Sequence, residues 1–212
     1  MKNGKWDCCE EGINRCVAAA QWWTYLYSPP LEGWVFASPC PSVGEGPGEG
    51  HSFTKPMPIQ KIISGGQTGV DRAALDVAFE FGIPCGGWCP RNRIAEDGRI
   101  AERYPLKETA TSDPSVRTEL NVTDSDGTLV LTWGKPSGGT LLTILCARHH
   151  RKPFLEVNLA GQPEIEFLRR WVESQRIQVL NIAGPRESHD PGAIYVEAKR
   201  LLTKLLQACR RL

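Results

Sequence analysis

The sequence predicts an α/β protein built on a doubly wound parallel sheet, and three observations carry that expectation. From residue 61 onward, short apolar runs alternate with helical patterns. The runs are continuous rather than alternating, as strands buried on both faces require. Two of them open into glycine-rich turns that lead straight into helices.

The first strand is Ile62-Ile63, followed by the turn Ser64-Gly65-Gly66-Gln67-Thr68-Gly69. Val70, Ala73, Ala74, Val77, Ala78 and Phe81 then fall on one helical face. Thr68 with Asp71 has the spacing of a capping box. Ile83-Pro84-Cys85-Gly86-Gly87-Trp88 reads as a second strand, and 115–122 as a short helix. Thr128-Leu129-Val130-Leu131-Thr132-Trp133 is a buried strand, and Asp124 and Asp126 shape the turn that enters it. Gly134-Lys135-Pro136-Ser137-Gly138-Gly139-Thr140 follows, with Ser137 as N-cap of a helix that carries Leu141, Leu142, Ile144, Leu145 and Cys146. Residues 153–157 form another strand, and Ile165, Leu168, Trp171 and Val172 one side of the next helix. The last strand is 178–183, ending in Gly184-Pro185. The terminal helix buries Ile194, Ala198, Leu201 and Leu205.

Two glycine-rich helix starts at strand ends point to a phosphate-bearing ligand. Glycines let backbone approach a bound group without a Cβ, and a helix N-terminus offers unpaired N–H groups and partial positive charge. In an open α/β sheet both loops belong at the carboxyl edge, where ligands bind. Neither loop is a Walker motif or a G-x-G-x-x-G fingerprint, so ordinary ATP hydrolysis and NAD chemistry are not indicated. Residues 87–100 follow a strand end and hold Arg91, Arg93 and Arg99, side chains that grip phosphate and stack on flat rings.

The first 60 residues differ in character. They hold Cys8-Cys9, Trp22-Trp23 and a Gly/Glu/Pro run over 44–50, without sustained periodicity. We expect an irregular, poorly ordered extension over 1–60 and a ligand-binding domain over 61–212; Met57 is a point where a compact chain would begin. Charge is near −2 for the first part and +3 for the second, which does not suggest a nucleic-acid surface. Residues 17–27 are too short and polar to span a membrane. The eight cysteines make neither a disulfide framework nor a zinc set, so no metal site is expected and the compartment reads as reduced and cytoplasmic. Cys89 is read as a buried thiol rather than a ligand to a metal centre.

GGQTGVDRAALD, GWCPRNRIAEDGRIAERYPL, RTELNVTDSDGTLV, SGGT and NIAGPRES occur in this order over residues 61–206. Together they resemble the molybdenum-cofactor carrier family, which is Rossmann-like and related to the "lonely guy" and YpsA group. The resemblance implies a homo-oligomer that binds, stores or delivers molybdenum cofactor, with molybdoenzymes or cofactor-synthesis proteins as partners. It assigns cofactor binding to Gly65, Gly66, Gln67, Thr68, Gly69 and Asp71, and to Ser137, Gly138, Gly139 and Thr140. Arg91, Arg93, Glu96 and Arg117 extend that set, and no catalytic residue is assigned. The stretch before Arg117 lacks the aromatic residue associated with that place. The alternatives are a nucleoside-monophosphate phosphoribohydrolase-like enzyme or a nucleotide sensor. Hydrolase relatives carry PGGxGTxxE, but Leu141, Leu142 and Thr143 follow Gly139-Thr140 here, leaving Glu119 beside Arg117 as a substitute for geometry to test.

Overall fold

The computed structural model of the chain describes residues 57–210; the expectations for the N-terminal extension and its cysteines and tryptophans fall outside them, apart from its last four residues. Five parallel strands form the central sheet: β1 (Lys61–Ile63), β2 (Cys85–Gly86), β7 (Gly127–Thr132), β8 (Phe154–Asn158) and β9 (Val179–Ala183). Their order is β2-β1-β9-β7-β8. The chain runs outward from β1 to β2, crosses to β7 and β8, and returns through β9 to the middle. That reversal of direction leaves the ends of β1, β9 and β7 side by side, the place where such sheets bind ligands.

Among the described residues five helices flank the sheet: α1 (Val70–Glu80), α2 (Pro114–Thr123), α3 (Gly138–His149), α4 (Ile165–Ser174) and α5 (Ile194–Arg210). α1 and α4 pack on α5, and α2 packs on α3. Every residue of β7 is buried. Leu129 and Leu131 join the core formed with α1, α4 and α5, while Val130 between them does not, as the two-residue period of a strand dictates. The apolar faces read for α1 and α5 are buried, Phe81 aside, which is partly exposed. Ile59 is 1% exposed in the same core and Met57 packs against it, so the folded unit begins before residue 61.

The region after β2 departs from expectation. The predicted strand over 83–88 is broken at Gly87, whose φ of 130° turns the chain out of the sheet. A Cβ there would stand 2.2 Å from the Ser64 carbonyl oxygen. β3 (Trp88–Cys89) instead pairs with β6 (Lys107–Glu108), and β4 (Ile94–Ala95) forms a hairpin with β5 (Gly98–Arg99). Leu75, Cys89, Ala95, Ile100, Tyr104 and Leu106 close a second small core beneath them. What reads as a polar loop is therefore a folded lobe.

Candidate functional site

The two glycine loops meet at the same edge of the sheet but do different work. In the first, Gly65 and Gly66 are buried. A Cβ on Gly66, whose φ is 75°, would lie 2.3 Å from Leu106 Cδ1; one on Gly65 would lie 1.5 Å from Arg117 Nη1. Three N–H groups around its end are engaged by the protein itself. Gln67 donates to Asp71 Oδ2 at 3.2 Å, Thr68 to Gln67 Oε1 at 3.1 Å, and Val70 to the Pro185 carbonyl at 3.3 Å. The capping box of Thr68 and Asp71 does not form. Gly69 is the N-cap, Thr68 Oγ1 accepts from the Glu187 N–H, and Asp71 turns to Arg117. The protein's own carboxylate and carbonyl thus stand where an anion would cap α1.

The second loop is open. Ser137 is the N-cap of α3 without a side-chain capping bond, and its carbonyl accepts from Thr140 and Leu141. No protein group within the described residues accepts from the N–H of Gly138 or Gly139, and nothing lies within 4 Å of a Cβ built on either. These exposed donors at a helix N-terminus line a cavity of about 660 Å³.

The rest of that cavity comes from Gln67, Asp71, the first turn of α2, the end of β7 and the segment after β9. Arg117, Lys135 and Arg186 stand against two carboxylates, and both carboxylates are engaged. Asp113 caps α2 by accepting from the Ser115 N–H at 2.9 Å. Asp71, 3% exposed, accepts from Arg117 Nη1 at 3.0 Å. Burial pushes its carboxyl above the usual range, and Arg117 and Gln67 offset that only in part. With Arg117 paired to Asp71, Lys135 and Arg186 leave the lining with a small excess of positive charge. Trp133 supplies an aromatic wall, from the end of β7 rather than from the stretch before Arg117.

A recess of about 220 Å³ shares Gln67, Arg117 and Arg186 with the cavity and continues to Pro90, Ala95 and Glu96. Glu96 ties the lobe to the segment after β9. It accepts from Ser188 N and Oγ and from Thr68 Oγ1, while its own N–H donates to Gln67 Oε1. Burial raises its carboxyl, but those bonds outweigh burial and hold it below the ordinary range.

Of the residues singled out from sequence, Gln67, Asp71, Arg117, Ser137, Gly138, Gly139 and Thr140 line the cavity, and Glu96 lines the adjoining recess. Thr68 and Gly69 face a separate hollow beyond Glu96. Arg91 is exposed and lines neither space. Arg93, 4% exposed, spends its guanidinium on the carbonyls of Ile100, Ala101, Tyr104 and Leu106, so it builds the lobe. Cys89 is wholly buried in the small core. Glu119 bonds His150 Nε2 at 2.8 Å, away from the cavity. Sequence reasoning missed Ser115, Lys135 and Arg186 as lining residues. The usable signal was position, since each lies just beyond a helix start or strand end on the ligand-binding edge.

Fold and cavity define a parallel α/β protein with a polar, cation-lined cavity at the strand-order reversal. The sequence profile of the circularly permutated YpsA SLOG family matches residues 62–206, and the chain belongs to that family. A crystal structure of a protein from Syntrophus aciditrophicus SB, named "putative molybdenum carrier protein", is similar. It is 51% identical, with a TM-score of 0.66, and the match covers 70% of this chain and 95% of that one. A comparison with curated proteins found no match. No helix among the described residues is long and apolar enough to cross a membrane.

Proposed function

We propose that this protein binds molybdenum cofactor as a storage or carrier protein, with the cofactor's phosphate at the start of α3. The observation that carries the reading is the pair of free N–H groups at Gly138 and Gly139, opening on a cavity with three cationic side chains. A dianionic phosphate suits such a place because donors, helix dipole and charge act together. Trp133 is available to the flat pterin. The 51% identical relative named for molybdenum carriage supports the choice of ligand.

The hydrolase alternative has less behind it. Glu119 lies outside the cavity, and Asp71 and Asp113, which line it, are bound by Arg117 and by a helix N-terminus. The reading extends to a cytoplasmic homo-oligomer that exchanges its cargo with molybdoenzymes or cofactor-synthesis proteins. Calorimetric titration of the full chain with molybdenum cofactor tests it. Saturable binding that inorganic phosphate competes away is expected, whereas binding of a nucleoside monophosphate with release of its base would overturn it.

A further inference from the structure

We infer that Gly65 and Asp71 are positioning residues for Arg117, and that Arg117, on α2, is the anion-contacting group which the first glycine loop and the start of α1 hold in the site. This rests on the reading of the cavity as a phosphate-ligand site. Gly65 has no positive φ, so its backbone does not demand glycine. Space does: a Cβ would meet Arg117 Nη1 at 1.5 Å, Arg117 Cζ at 2.6 Å and Asp71 Oδ2 at 2.8 Å. The guanidinium lies across the bare backbone of residue 65, in a slot that an alanine methyl would fill.

Asp71 holds it there. The carboxylate reaches Arg117 from the second residue of α1, and both members are largely buried, with side chains 4% and 14% exposed. Arg117 Nε is buried with no hydrogen-bond partner. Among the described residues the guanidinium donates to Asp71 alone, which leaves it donors to spare for a ligand. Arg117 also stands where the main cavity and the recess join, lining both. The first loop therefore bears on the ligand through a side chain, and its glycine makes room for that side chain instead of for phosphate.

The test is a mutant cycle on the full chain, reading thermal unfolding without ligand and affinity for molybdenum cofactor and for inorganic phosphate. Gly65→Ala is made in the wild type and in an Asp71→Asn/Arg117→Met background, which removes both charges so that neither is left buried alone. In the wild type we expect a clear fall in melting temperature and about a tenfold or greater loss of affinity, the scale of one charge-assisted bond. In the neutral background the same alanine should cost less than about twofold in affinity, with most of the thermal loss gone. An equal loss of affinity in both backgrounds would mean that Gly65 itself cradles the ligand, and would overturn the inference. Wild type that binds neither probe would reject the site reading beneath it, while the thermal cycle would still show whether Gly65 serves Arg117.

Discussion

Gly139→Val separates binding from folding at the start of α3. The free protein should tolerate it, because nothing lies within 4 Å of the added Cβ and the residue has no positive φ. Valine also has a higher helix propensity than glycine. The ligand should not tolerate it. The branched side chain stands beside the free N–H groups of Gly138 and Gly139 and keeps an anion from closing on them. Losing one charge-assisted bond costs roughly 1.5–3 kcal/mol, which is roughly a 10- to 150-fold loss of affinity. Titration calorimetry with molybdenum cofactor reads the affinity, and urea unfolding reads the stability. Unchanged affinity in a folded variant would show that the α3 N-terminus is not the phosphate site.

Gly66→Ala should behave in the opposite way, losing about 2–4 kcal/mol of stability from overpacking and left-handed strain, since its methyl would meet Leu106 at 2.3 Å and its φ is 75°; urea unfolding matching the wild type would refute this. Glu119→Gln should leave cofactor affinity within about twofold, as expected for a surface change distant from the ligand, because the side chain bonds His150 outside the cavity; lost binding would move Glu119 into the site. Glu96→Gln should flatten the acid side of the stability profile. Its folded carboxyl titrates below its unfolded value, so its contribution is complete above the usual glutamate range and fades as pH falls through the folded value. Thermal unfolding between neutral and strongly acid pH checks this, and superimposable wild-type and variant curves would contradict it.

The sheet was legible because burial on both faces writes long apolar runs, as in residues 128–131, and because helical stripes such as Ile194, Ala198, Leu201 and Leu205 repeat at one period. The lobe was not. β3 to β6 are two residues each, too short to show a period, and Arg93 holds the segment between β5 and β6 through carbonyls that carry no side-chain signature. The two glycine loops looked alike in sequence for a related reason. A glycine admits close approach by anything, and only the fold decides whether Leu106, Arg117 or open space comes near. Gly66, Gly65 and Gly139 illustrate the three outcomes. Arg186 was hidden because the segment after β9 reaches the cavity only through the return of that strand between β1 and β7.

Native mass spectrometry of the full chain purified from a molybdenum-replete host tests the central claim most directly. The account predicts a bound mass equal to molybdenum cofactor or its molybdopterin core, carried by the wild type and absent from Gly139→Val at matched folding. A nucleotide mass in place of the pterin, or a pterin mass retained in full by Gly139→Val, would contradict it.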